Sequence, residues 1–589
     1  MLIHSFLDGA LFALALQLPS VATANAVSRR DWELSDAPSP SLFLRRASGR
    51  ISVLGNHVYI DGGEISQLGE DGNITQPRSS NAVNSTLSID MSASWSSSSV
   101  AIQQIPKTPK PMDEQAIWTN EATNSFYIWG GHSPFGAKLD DPALWKFEAD
   151  GKGGGAWSKE VPANPTLFSE LRRNEDGAFV TAKDTAFWFG GSSSGWTSPN
   201  PYTQPVPGIL SYNFTTKTWA NETTNAFSKF GTMIGGRAVY VPTFGPNGLI
   251  TLLGGNTWNL MPDQKSPIGW MDFSNLTFFD PITRDWFWQN TTGNAPTPRS
   301  SPCTVGVQGK NGTYEIFVFG GANSNTGSTY DDVFVLSLPG FVWTQFAYEA
   351  KSPRTGHSCA VVGRRQMLSV GGMSSSGWAS PDPWPQGLGL FDMTEWAWKT
   401  DYDADAKEYE SSQTIKDWYQ DVGTDSVQWS SEKVKALFNK ATEATTPTSS
   451  PSPGQTTTTN KSEAKPNNTP LIVGVAVGAG VGLVLGAAIF WFLRRRRQQQ
   501  KKQHEASIVA PAYSNYDGST AASYYHPVPP SEAGDNQVHE MWSGAPDKKQ
   551  EMWAPIPTEM TGSNVGHHTV TELEDQQGRP RNEIRHELK

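Results

Sequence analysis

Short apolar runs, each ending in a pair of glycines, recur through the first 400 residues. They read Tyr59-Ile-Asp-Gly62-Gly63, Tyr127-Ile-Trp-Gly130-Gly131, Phe187-Trp-Phe-Gly190-Gly191, Thr251-Leu-Leu-Gly254-Gly255, Phe317-Val-Phe-Gly320-Gly321 and Leu368-Ser-Val-Gly371-Gly372. A short apolar run bounded by turn formers predicts a buried strand. A tryptophan follows each pair: Trp95, Trp157, Trp219, Trp286, Trp343 and Trp398. In four units an apolar residue (Tyr212, Phe279, Leu336 or Phe391) stands seven positions before that tryptophan. Self-similarity at this scale marks a repeat architecture, in which each unit buries its faces against its neighbours. The glycines suit a sharp turn between two strands, and the tryptophans are large enough to fill the space between units.

The apolar pattern changes after residue 400. Ser430 to Phe438 places Val434, Leu437 and Phe438 on one side of a helix behind an N-capping serine, within an extension over 401–440. Residues 441–470 are rich in Thr, Ser and Pro and read as a stalk without a core. Leu471 to Leu493 carries no charge and is long enough to cross a bilayer as a helix, with Trp491 at its end and Arg494 to Arg497 directly after it. The arginines predict a cytoplasmic tail over 494–589, polar and disordered, able to recruit cytoplasmic adaptors. Gly474, Gly478, Gly482 and Gly486 fall on one face of the predicted span and predict a homodimer contact. At the other end, Gly9 to Leu18 and the Ala24-Asn25-Ala26 site predict a signal peptide over 1–26. The chain therefore reads as a type I, single-pass protein of the plasma membrane, with residues 27–470 outside.

Sequons agree with that topology. Asn73, Asn84, Asn213, Asn221, Asn275, Asn290, Asn311, Asn460 and Asn467 all precede the predicted span. The formal charge of −11 is spread thinly and excludes a nucleic-acid role. Cys303 and Cys359 are too few for a disulfide scaffold or a structural zinc site, and whether they pair is open.

The repeats resemble the kelch family, whose blades carry a double glycine and a spaced aromatic–Trp pair. Pro298-Arg299-Ser-Ser-Pro-Cys303 and Pro353-Arg354-Thr-Gly-His357-Ser-Cys359 are similar to that family's approach to a blade's first strand. The resemblance covers about residues 48–400 and implies an all-β, six-bladed propeller. With its predicted anchor, the chain resembles the membrane-anchored kelch proteins of filamentous fungi. Some propellers of this kind are copper-radical oxidases, which need a Tyr–Cys link, a second Tyr and two His ligands. Before residue 441 and after the predicted signal peptide stand only His57, His132 and His357, none in a Tyr-His pair. No catalytic residue, metal or cofactor is therefore expected, and the three histidines read as ordinary loop or strand residues.

Strand alternation places the loops after the glycine pairs on the same face as Arg299 and Arg354. Two of these loops share a Ser-Ser-Ser-Gly-Trp segment, holding Trp196 and Trp378; Trp384 follows Trp378, and the loop after Gly255 holds Trp258. Tryptophans among hydroxyls and amides can stack on sugar rings or fold down as lids over their own blades, and the arginines can meet a ligand or bond carbonyls near the central channel. The four tryptophans and two arginines are thus the candidate binding residues. The expected function is a non-catalytic surface protein that binds a cell-wall glycan or a protein. The rivals are a secretory oxidase and a polarity scaffold acting through its tail.

Overall fold

Each glycine-ended run forms the second of four consecutive antiparallel strands, to which Thr292–Gly293 adds a short parallel fifth in one sheet. In the computed structural model, residues 34–439 are described, apart from 70, 75–78, 135–136, 200–202, 259–268, 349–351 and 375. They belong to a unit spanning Met1–Pro529; a second unit, Pro530–Lys589, holds no described residue. The predicted signal peptide, stalk, span with its glycine ladder, and tail lie outside the described residues, as do Asn460 and Asn467. Among the described residues no helix is long and apolar enough to cross a membrane.

Six blade sheets are present among the described residues. Blade 1 is Arg50–Leu54, His57–Asp61, Ser85–Asp90 and Gln103–Pro106. Blade 2 is Ala116–Asn120, Ser125–Trp129, Leu144–Ala149 and Gly155–Glu160. Blade 3 is Ala178–Ala182, Thr185–Phe189, Ile209–Asn213 and Thr218–Glu222. Blade 4 is Arg237–Val241, Leu249–Leu253, Asn275–Phe279 and Trp286–Asn290. Blade 5 is Cys303–Gln308, Tyr314–Phe319, Val333–Leu338 and Val342–Phe346. Blade 6 is Ser358–Val362, Gln366–Val370, Leu388–Asp392 and Ala397–Lys399. The first strand of each blade neighbours that of the next, and blade 6 returns to blade 1, so the ring closes as a β-propeller.

The spacing of seven is explained by strand register. Tyr212 faces Trp219, Phe279 faces Trp286, Leu336 faces Trp343 and Phe391 faces Trp398 across the third and fourth strands. Phe147 and Trp157 make the same pair in blade 2, at wider spacing because residues 150–154 lengthen the turn. These tryptophans reach neighbouring blades: the Trp157 indole donates to Thr86 Oγ1 of blade 1 at 3.1 Å, and that of Trp343 to the Phe273 carbonyl at 3.0 Å. Trp95 departs from the expected pattern. It precedes the fourth strand of blade 1, pairs with Tyr402 after blade 6 and packs on that ring at 5.3 Å. It seals the closure between last and first blades rather than filling a fourth-strand position.

The glycine pairs do more than turn the chain. The second amide of each pair donates to a carbonyl on the segment leading into the next blade. Gly63 bonds Met112, Gly131 bonds Asn174, Gly191 bonds Met233, Gly255 bonds Arg299, Gly321 bonds Arg354 and Gly372 bonds Arg46, all at 2.7–3.0 Å. A Cβ on Gly131, at φ +79°, would lie 2.6 Å from the Asp113 carbonyl oxygen, so the close approach excludes any side chain. Arg46 shows how the ring closes: the strand Phe43–Ala47 pairs with Glu64–Gln67 and supplies the lead-in that blade 6 requires.

Two further joints hold the ring. Cys303 and Cys359 form a disulfide between the first strands of blades 5 and 6, with Cα atoms 5.6 Å apart. Beyond blade 6, helices Gln413–Asp421 and Glu432–Asn439 follow. Ser431 Oγ accepts the Val434 amide at 3.2 Å, and Val434 and Phe438 are buried against a cluster that includes Phe244, Phe278 and Phe341. Burying two such side chains contributes about 4 kcal/mol by area, so the extension is part of the propeller's packing. The first helix also falls within the helical extension expected over 401–440; its Tyr419 hydroxyl accepts the Gly340 amide at 3.0 Å.

Candidate functional site

The six lead-in segments meet around the axis, on the face that carries the loops after the glycine pairs. Two residues past the carbonyl that each glycine pair contacts, the backbone turns left-handed, at Ser48, Glu114, Asp176, Gly235, Ser301 and Gly356, with φ between 50° and 68°. Their backbones form a chain of bonds around the axis. Ser48 donates to Gly356, Glu114 to Ser48, Asp176 to Glu114, Gly235 to Asp176 and Ser301 to Gly235, at 2.6–3.4 Å. Holding non-glycine residues left-handed costs on the order of 1 kcal/mol each, and the inter-blade bonds offset it.

Blades 1 to 4 bring charge to this ring. Arg50 pairs with Glu114 and donates from Nε to the Gln115 carbonyl at 3.0 Å. His132 Nδ1 lies 2.5 Å from Glu175 Oε2, and its Nε2 lies 3.6 Å from Asp113 Oδ2. Ser194 Oγ donates to the other Glu175 oxygen at 2.9 Å. Burial works against charge on His132, but Glu175 and then Asp113 override it and raise its pKa to about 10. Glu175 is lowered by His132 despite its own burial. Burial raises Asp113 well above the carboxylate range; burial and then Glu114 push Asp176 up to about 7. Arg237 falls to about 10 through burial and the nearby Arg50. An imidazolium held between carboxylates is a fixed charge, unlike a base poised near neutrality. The cluster therefore acts as internally paired polar structure around the axis.

Arg299 and Arg354 are fully buried. Arg299 donates to the Thr297 and Gly320 carbonyls at 3.0 and 3.1 Å, pairs with Asp332 and lies over the Tyr330 ring at 3.9 Å. Arg354 repeats the arrangement with the Ser352 and Gly371 carbonyls, at 3.2 and 2.7 Å, and with Asp382 at 3.0 Å. Its guanidinium sits 3.4 Å from the centre of the Trp384 ring. These forks brace their own blades and hold Trp384 half-buried beneath the loop. Trp196, Trp258 and Trp378 are also half-buried. The Trp196 carbonyl accepts the Ser133 amide at 3.0 Å, tying the blade 3 loop to blade 2, and the Trp258 backbone exchanges two bonds with Thr232 Oγ1.

The same face holds a cavity of about 250 Å³ in blade 2, which the sequence did not reveal. Its walls include Met112, Gln115, Trp129, Gly130, Asp140, Asp141, Trp145, Lys159 and Arg173. Lys110, also on the wall, pairs with Asp140 at 2.7 Å. The signal for both missed features lay in the lead-in segments. Blades 2 and 3 read Met112-Asp-Glu114 and Asn174-Glu-Asp176 where blades 5 and 6 read Arg299-Ser-Ser301 and Arg354-Thr-Gly356. That alignment becomes visible only through the carbonyl that each glycine pair contacts.

Of the described sequons, Asn73, Asn84, Asn221, Asn275, Asn290 and Asn311 are exposed, and Asn213 is half-buried. A family profile described as the KLHDC2/KLHL20/DRC7 Kelch-repeats domain matches residues 247–413, which cover most of blades 4 to 6. A "Kelch repeat-containing protein" of Arthroderma benhamiae (strain ATCC MYA-4681 / CBS 112371) is 25% identical over 430 residues. The match covers 65% of this chain and 60% of that relative's length.

Proposed function

This chain is a kelch-repeat family protein, and we propose that it is a non-catalytic cell-surface binder whose propeller captures an extracellular glycan or protein. One observation carries the proposal: the loops after the glycine pairs and the lead-in segments converge on one face, which holds both the ring of charge and an open cavity. Such convergence of polar groups around a concavity is the usual form of a recognition site. The disulfide supports an oxidising compartment, as do the sequons and the apolar segment 471–493. It also occupies both cysteines, leaving no thiol for the Tyr–Cys link that a copper-radical oxidase requires. In this reading the glycine ladder pairs two chains in the membrane, and the tail over 494–589 engages cytoplasmic adaptors.

The test uses the full-length chain expressed in cells. Peptide N-glycosidase should shift its mass, and a C-terminal tag should be protected from external protease until the cells are opened. The detergent-solubilised chain should then be retained on immobilised cell-wall glycan or on a defined set of surface proteins. An externally accessible tag, or a chain retained on none of these, overturns the proposal.

A further inference from the structure

Comparing the blades with one another locates a ligand subsite. The carbonyls that accept the glycine-pair amides align Met112 with Arg299 and Arg354, and Arg173 with Arg45. In blades 5 and 6 an arginine fork fills the space above the first glycine, taking its carbonyl and a loop carboxylate. Blades 2, 3 and 4 carry Met112, Asn174 and Met233 at that position, and in blade 2 the same region is the cavity of about 250 Å³, lined by Gly130, Asp140 and Asp141. The second arginine position differs as well. Arg45 spends its N–H groups on three carbonyls, those of Gly372, Ser380 and Pro381, at 3.1–3.2 Å. Arg173 reaches only the Asp140 carbonyl, at 2.7 Å; it is 6% exposed, and its Nη1 has no protein acceptor. Trp129, also on the wall and 2% exposed, has an indole Nε1 without a protein acceptor. An unmatched buried donor costs roughly 1–3 kcal/mol; both atoms lie just beneath the cavity wall, so a ligand oxygen removes that deficit once the side chain turns toward it.

The geometry points to a subsite for one acidic sugar unit, its carboxylate against Arg173 and its hydroxyls donating to Asp141 and the Gly130 carbonyl. Size limits the ligand: the volume far exceeds the roughly 10–15 Å³ that one water needs, yet falls below the roughly 300 Å³ of small drug-sized pockets. Charge selects its sign. Asp140 is already paired with Lys110, so Arg173 and Lys159 outnumber Asp141 among the remaining charged walls, which disfavours a free cation. Hydroxyls suit mixed walls because each both donates and accepts, and Trp145 gives the wall an aromatic ring beside which a sugar packs. This subsite deepens the proposed function and rests on it, as the part of the binding face that reads acid.

The test titrates glucuronic acid and glucose into the full-length, detergent-solubilised chain by calorimetry. Glucuronic acid should bind about tenfold more tightly than glucose, as a charge-assisted contact predicts, and Arg173→Gln should erase that preference. Met112→Arg should abolish binding of both sugars by placing in blade 2 the side chain that blades 5 and 6 already hold, with the denaturation midpoint unchanged. Asp141→Asn, at an exposed position, should weaken both sugars and leave the fold intact. No saturable binding by the unmodified chain, or binding that survives Met112→Arg, overturns the subsite. If neither sugar binds while the chain still captures wall glycan or surface protein, the subsite alone fails; if that capture is also lost, the broader reading fails with it.

Discussion

Gly131→Ala isolates what the glycine pairs do. Two effects act together at this position. An L-residue at φ +79° is strained by about 1–2 kcal/mol relative to glycine. The new Cβ would also stand 2.6 Å from the Asp113 carbonyl oxygen and 2.9 Å from Gln115 Cβ, where ordinary contact begins near 3.4 Å. Relief requires Asp113 to move, and Asp113 exchanges two backbone bonds with His132, both at 2.9 Å. Gly131 itself donates to Asn174 of the next blade at 2.8 Å. Weakening these bonds costs about 1 kcal/mol each, so the substitution should destabilise by about 4 kcal/mol.

Gly55→Ala provides the control. Gly55 is also left-handed, at φ +56°, but a Cβ there meets nothing within 4 Å. It should lose only the conformational part, about 1–2 kcal/mol. Guanidinium unfolding of the full-length chain, followed by tryptophan fluorescence, compares the two variants. Equal losses would refute the inter-blade account, since conformational strain alone would then explain both.

Three other outcomes follow from the same structure. His132, raised to about 10 by Glu175 and Asp113 against its burial, contributes stability that is complete below about 6.5 and lost as pH climbs through about 10. Asp176, raised to about 7, adds a loss as pH rises through that value, so midpoints should fall between pH of about 6 and 10, less steeply in His132→Gln; equal slopes in the two proteins would refute this. Replacing Cys303 and Cys359 together by Ser should cost about 4 kcal/mol on a chain-entropy estimate for the closed loop, and an unchanged midpoint would show that blades 5 and 6 hold together without the link. Phe438→Ala, at a residue 1% exposed beside Phe244, Phe278 and Phe341, should cost about 3–5 kcal/mol; a loss under about 1 kcal/mol would mean that the last helix is not part of the packed core.

The propeller was readable because its signals are local and repeated. A glycine pair ends each second strand, and a registered aromatic–Trp pair sits across each hairpin from blade 2 to blade 6 except where Leu336 faces Trp343. Blade 1 misled because its fourth strand, Gln103–Pro106, carries no aromatic residue, and the nearest tryptophan belongs to the closure with Tyr402. The site was far less readable, for a physical reason. In sequence Arg299 and Arg354 read either as structural or as ligand-binding; the choice is settled by Asp332, Asp382 and two glycine carbonyls, partners that lie 17 to 33 positions away. Asp113 and His132 come together with Glu175 across two blades, at separations that no local pattern records. Met112 carries no signal by itself. It acquires meaning only as the place where an arginine is missing, and only the glycine-pair bonds align it with the residues that show what would fill the space. A repeat fold thus supplies an internal reference for its own sites: blades 5 and 6 show which side chain can fill the region that stands open in blade 2.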